Sequence, residues 1–240
     1  MKIDYTVLED IASQFGPTVV KVNEFFMSWN SVMTLAYAGF TTTLIDIKRH
    51  LDTKLSLQKE NPGSRWPKTT LGCLRDGRQL TPEQVTRIRD LCREFTNELR
   101  ALPPQETEVA VTQLSLVVSQ SRTLEERWME IPIPLRGTRR SSDSIPDDHM
   151  KDVQSTMNQF ASDRLTEYYP RLAPEGRTID NYYRRPHVEA TLIAKAAWSQ
   201  PVNKLVERFG WAMDSRTGVD TAYAWFRPES RHLTVRALVA

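Results

Sequence analysis

Between residues 4 and 29 apolar side chains recur at intervals of three to four: Leu8, Ile11 and Phe15, then Val19, Val22, Phe25 and Phe26. Gly16-Pro17 divides the run. The pattern predicts a helical N-terminal extension over residues 1–30 that packs on the rest of the chain. At Ser31 the period changes. SVMTLAYAGF is apolar throughout and ends near Gly39, which predicts a buried strand. Thr41 to Thr43 then offer helix caps, and Leu44, Ile47, Leu51 and Leu55 give one apolar stripe, so a helix is expected over 42–55. ENPGS at 60–64 has turn chemistry, and WPKTTLGCL at 66–74 reads as a second strand.

A helix over 82–101 carries the strongest local signals. Thr81 is its cap, Pro82 its first residue, and Gln84 completes a capping box; Val85, Ile88, Leu91, Cys92, Phe95 and Leu99 form its apolar face. EVAVTQLSLVVS at 108–119 is rich in β-formers and reads as a strand, and 123–129 as a short helix. Residues 31–119 therefore predict a β-α-β-α-β order. RGTRRSSDSIPDDH, residues 136–149, has Ile145 as its one large apolar side chain and is expected to be a mobile, dispensable surface loop. Residues 150–168 look helical and PRLAPEG is another loop. HVEATLIAKAAW at 187–198 stays open between strand and helix. PVNKLVERF is a helix between Pro201 and Gly210, and 219–226 and 232–239 are two β-rich runs. The expected division is an extension (1–30), a first α/β lobe (31–135), a loop-rich insertion with a helix (136–176) and a second α/β lobe (177–240).

Composition narrows the function classes. The 240 residues include 32 Lys and Arg against 30 Asp and Glu, a formal net charge of +2. That balance excludes blanket attraction to nucleic acid while leaving room for a local basic pocket. No apolar run reaches membrane-spanning length, so no membrane partner is expected. The N-terminus has acidic residues where a signal peptide needs apolar ones, so a cytoplasmic location is expected. Cys73 and Cys92 read as reduced packing residues. His50, His149, His187 and His232 lack metal-ligand spacing, so no metal or other cofactor is expected.

The sharpest chemical signal is FRPESRHLTVRAL near the C-terminus. In a strand, His232, Thr234 and Arg236 share one face and Leu233, Val235 and Ala237 the other. A neutral-pH titrating group, a hydroxyl and a guanidinium in a row suit phosphate handling, whereas the bland reading is the polar face of an amphipathic strand. Near His187, the residues Tyr182, Tyr183, Arg184 and Arg185 add basic and aromatic character that suits a nucleotide.

RPESRHLTV resembles the histidine motif of the two-histidine phosphoesterases, the superfamily of 2′-5′ RNA ligase-like proteins and cyclic nucleotide phosphodiesterases. The family pattern is His, any residue, Thr or Ser, then an apolar residue, occurring twice. The resemblance implies an α+β fold: a bilobal arrangement of two small antiparallel or mixed sheets flanked by helices, with a motif strand from each lobe at a central cleft. The first motif position falls on Lys68-Thr69-Thr70-Leu71. Thr70 and Leu71 fit; Lys68 stands where His belongs. Lysine has an ordinary pKa of about 10.4, so it serves as an anion binder rather than a base. The resemblance implies His232, Thr234, Lys68 and Thr70 as catalytic residues, with Arg236, Trp66, Tyr183 and His187 binding substrate. The implied activity is that of a phosphoesterase on a cyclic phosphodiester or a nucleotide or RNA-end phosphate. The alternatives are a non-catalytic binding protein, or an enzyme of different chemistry that reuses the cleft for a small non-nucleotide substrate.

Overall fold

The computed structural model describes residues 4–28, 30–55, 57–60, 65–172 and 178–239. The turn expected at 60–64 and the loop at 170–176 therefore fall largely outside the described residues. The elements run α1 (Tyr5–Ser13), β1 (Thr18–Met27), β2 (Met33–Tyr37), α2 (Thr42–Lys54), β3 (Lys68–Leu74), α3 (Pro82–Arg100), β4 (Glu108–Val111), β5 (Gln113–Ser119) and β6 (Arg127–Pro134). They continue as α4 (Asp147–Met157), α5 (Leu165–Tyr168), β7 (Glu189–Lys195), α6 (Gln200–Arg216), β8 (Tyr223–Trp225) and β9 (His232–Val239). Two antiparallel sheets result, β4-β1-β2-β3-β8 and β6-β5-β7-β9. The architecture is α+β, with helices packed on both sheets.

α3 and α6 cover one face of the five-stranded sheet. Phe25 of β1 stacks on Phe209 of α6 at 4.5 Å, Phe95 of α3 meets Phe209 edge-on at 5.3 Å, and Trp225 of β8 closes the row at 6.3 Å. The capping box at Thr81 forms as expected, with the Gln84 N–H donating to Thr81 and the Thr81 N–H to the Gln84 side chain. α1 and α2 pack on the four-stranded sheet, where Arg236 of β9 meets Asp52 of α2. The connection from β7 to α6 is tied to the five-stranded sheet through a buried chain in which the Trp198 indole N–H donates to the Tyr37 hydroxyl at 3.0 Å and that hydroxyl pairs with Thr69 at 3.0 Å.

The N-terminal extension is helical only in its first part. α1 ends at Ser13, and Thr18–Met27 is a strand in the interior of the five-stranded sheet, paired to β4 on one side and β2 on the other. Gly16 sits so close to the next layer that a Cβ would lie 2.4 Å from the Thr138 carbonyl carbon, and Pro17 stops the helix. Residues 123–129 are likewise not helical: they form a turn leading into β6. Pro132 and Pro134 are tolerated there because β6 is an edge strand. α6 runs through Gly210 to Arg216, and a Cβ at Gly210 would meet the Trp225 ring only in ordinary contact, at 3.7 Å. The helix expected over 150–168 is α4 followed by short turns and α5.

Residues 136–149 are anchored rather than loose. The Asp143 carboxylate accepts from the Thr18 hydroxyl at 2.5 Å, the Thr42 hydroxyl at 2.9 Å and the Thr43 N–H at 3.0 Å. Arg140 pairs with Asp46 at 2.6 Å, and the Gly137 N–H donates to the Phe15 carbonyl at 2.9 Å. The sheets also exchange segments: β5 and β6 leave the first region to join β7 and β9, while β8 returns from the last region to pair with β3.

Candidate functional site

β3 and β9 belong to different sheets yet run alongside each other, with Cα–Cα separations under 8 Å. On β3, Thr69 opposes Leu35 and points toward Tyr37, so its neighbours Lys68 and Thr70 occupy the other face. Lys68 Nζ lies 4.1 Å from the centre of the Trp66 ring, a cation–π contact, and Trp66 packs edge-on to Phe26 at 5.9 Å.

On β9, His232 lies opposite Lys195 and Thr234 opposite Ile193. Directly opposed residues share a face. The His232 ring is half-buried, and its Nδ1 lies 2.6 Å from the Ser230 carbonyl oxygen. A carbonyl only accepts, so Nδ1 carries the proton and Nε2 of the neutral ring keeps its lone pair. Burial, opposed by the Ser230 hydrogen bond and aided by the Arg127 charge, pulls the imidazole down to about 4. The ring is therefore neutral throughout the physiological range.

Arg236 does not share this face. Leu192 opposes Arg236 while the next residue, Ile193, opposes Thr234, so one residue of β9 is extra and a β-bulge lies at Val235. The bulge turns Arg236 to the Leu192 side. There it is buried, donating from Nε to Asp52 at 2.9 Å and from Nη2 to the Gln58 carbonyl at 2.6 Å. It ties β9 to α2, on the face away from His232 and Thr234.

Tyr183 is buried edge-on to Phe226 at 5.1 Å, in a small apolar cluster with Cys73 and Ile179, so its ring is a wall residue. His187 precedes β7, its N–H donating to the Gln120 carbonyl. Burial and the charges of Arg122 and Arg185 hold it below the usual histidine range. Cys73 and Cys92 are free and buried, and burial pushes both thiols up, as packing residues require.

Three residues near His232 were not foreseen. Glu130 opposes Val117, which opposes Thr191, so Glu130 lies on the same face as Lys195, His232 and Thr234. Arg127 Nη1 meets Glu130 at 2.5 Å and Lys195 Nζ meets it at 2.8 Å. β5 separates β6 from β7, so this direct contact requires the sheet to curl toward that face, over the apolar floor of Val117, Ile193 and Leu124. Arg127 also donates to the Leu124 carbonyl at 2.9 Å and to the Glu229 carbonyl at 2.7 Å. Leu124 itself has a positive φ of 55°, so the β5–β6 turn that aims Arg127 is a strained one. Burial works to raise the Glu130 carboxyl, but hydrogen bonds from Lys195 and Arg127 outweigh it and hold it below the usual range.

Among the described residues no group of three or more His, Cys, Asp or Glu side chains is placed to hold a metal ion, and no helix is long and apolar enough to cross a membrane. Compared with protein-family models, with curated proteins and with solved structures, the chain matches none.

Proposed function

We propose that the chain is a phosphoesterase-like enzyme with the two-histidine-phosphoesterase fold, acting on a cyclic phosphodiester or an RNA-end phosphate, with His232 as general base. The observation that carries this reading is the His232 ring: Nδ1 is fixed on the Ser230 carbonyl, Nε2 keeps its lone pair, and the Thr234 hydroxyl stands two residues along on the same face. Support also comes from β3, the adjoining strand, which bears Lys68 and Thr70.

In the proposed reaction Nε2 takes a proton from water as the oxygen attacks phosphorus. The P–O bond to the ring-opening oxygen breaks and its electron pair stays with that oxygen. The leaving oxygen departs on the far side of phosphorus, in line with the attacking water, and takes its proton from solvent, while the imidazolium returns its proton to solvent. Lys68, Thr70 and Thr234 hold the non-bridging oxygens as charge builds on them.

The test is turnover of 2′,3′-cyclic nucleotides and short RNA 2′,3′-cyclic ends. His232→Ala lowers kcat/KM by about 10²–10⁴-fold, the usual contribution of a positioned acid or base. Turnover unaffected by that substitution, or no turnover by the wild type on any of these esters, refutes the reading.

A further inference from the structure

The ion cluster beside His232 has an unequal construction. Arg127 is held by three separate acceptors: the Leu124 carbonyl, the Glu229 carbonyl and Glu130. Two of these are backbone atoms, so the guanidinium keeps its place whatever Glu130 does. Lys195 reaches the same carboxylate from the opposite side, with about half of its side chain in solvent. Glu130 thus bridges two cations, one anchored on backbone carbonyls and one half-exposed, on the face that carries the His232 imidazole. The Lys195 arm, open to solvent, is the weak and readily exchanged one. A phosphate oxygen pair has the same charge sense and nearly the same bite as the carboxylate, whose two oxygens meet Arg127 Nη1 and Lys195 Nζ, and the same two donors can serve either anion.

We propose that Arg127 and Lys195 form an anion seat beside His232, that Glu130 is its internal occupant, and that the phosphate of the ligand enters by displacing this carboxylate. The inference rests on the reading of His232 as a phosphate-ester base and adds the subsite that holds the phosphate. Glu130 then sets selectivity: a weakly held anion leaves the carboxylate in place, whereas a phosphate ester, with two or more acceptor oxygens, replaces it.

The test uses inorganic phosphate as the probe, titrated calorimetrically into the full chain. Glu130→Gln removes the competing charge and binds phosphate about tenfold more tightly than wild type, and Lys195→Met binds it about tenfold more weakly, each the scale of one charge-assisted hydrogen bond. Glu130→Gln binding no more tightly overturns the proposal. Lys195 is exposed, so Lys195→Met keeps the fold; equal phosphate affinity in that variant overturns the proposal by itself, even if Glu130→Gln does not fold. Phosphate affinities that move as stated while no cyclic ester is turned over leave the anion seat standing and remove only the hydrolytic reading. Turnover with unmoved affinities does the reverse.

Discussion

Acid should destabilise this protein partly through one imidazole. His232 has its pKa drawn from 6.5 down to about 4 by burial, with Arg127 adding to the effect and the Ser230 hydrogen bond opposing it. Because the folded value lies below the unfolded one, the unfolded chain binds the extra proton first as pH falls. The neutral ring contributes its full share of stability above pH 6.5. That share is lost as pH falls through the window from 6.5 to 4. Integrating the proton difference gives a loss of about 2 kcal/mol at pH 5 and about 3 kcal/mol at pH 4. Carboxylates held below their ordinary range, such as Asp143, Asp76 and Glu130, add their own losses at lower pH.

A difference measurement isolates the histidine. Urea unfolding of wild type and His232→Gln at pH 7.5, 6, 5 and 4.5 subtracts the carboxylate losses, which both proteins share. His232→Gln is expected to be less stable than wild type at pH 7.5, and the gap should close by about 2 kcal/mol by pH 5. A gap that stays constant from pH 7.5 to 4.5 would refute the burial argument.

Asp143→Ala should cost about 1.5–3 kcal/mol in urea unfolding, because three donors lose one charged acceptor; an unchanged midpoint would mean that residues 136–149 are as dispensable as their composition suggests. Arg236→Met should lower stability by about 1–3 kcal/mol by stranding Asp52 and the Gln58 carbonyl, yet leave phosphate affinity unchanged. A loss of phosphate binding in Arg236→Met would return Arg236 to the His232 face.

Elements with complete local signals were legible in the sequence. α3 has its cap, its first-turn proline, its reciprocal Gln84 contact and a continuous apolar stripe, and it forms as written. β1 was misread for a physical reason. Val19, Val22, Phe25 and Phe26 satisfy a helical interval by coincidence: a bulge at Asn23 puts Val22 and Phe25 on one face, while Phe26 is buried on the other, because an interior strand of a helix-covered sheet is apolar on both faces. The loop at 136–149 was misread because its anchors are polar. A single aspartate satisfied by three threonine groups ties down a segment that composition marks as loose.

The candidate site divides along the same line. His232 and Thr234 were legible because a strand's two-residue period is local. Arg236 was not, because the bulge at Val235 adds one residue to β9 and reverses the faces of Arg236 and Ala237, until a second irregularity at Leu238 shifts the register again. Nothing in HLTVRAL announces a bulge; it follows from how β9 pairs with β7. Arg127, Glu130 and Lys195 lay further out of reach, since only the curl of a four-stranded sheet brings β6 and β7 into contact across β5. The reversal at Arg236 also changes where phosphate can be held. With that guanidinium turned to α2, the cation fixed on the His232 face comes from β6, through Arg127. His232 and Arg127 are 105 residues apart in the chain, brought together by sheet pairing and by the Arg127 hydrogen bond to the Glu229 carbonyl. Damage to the β5–β6 turn at Leu124 should therefore weaken anion binding before it disturbs the His232 tautomer, because the ring is fixed within β9's own approach, at Ser230, and the guanidinium is not.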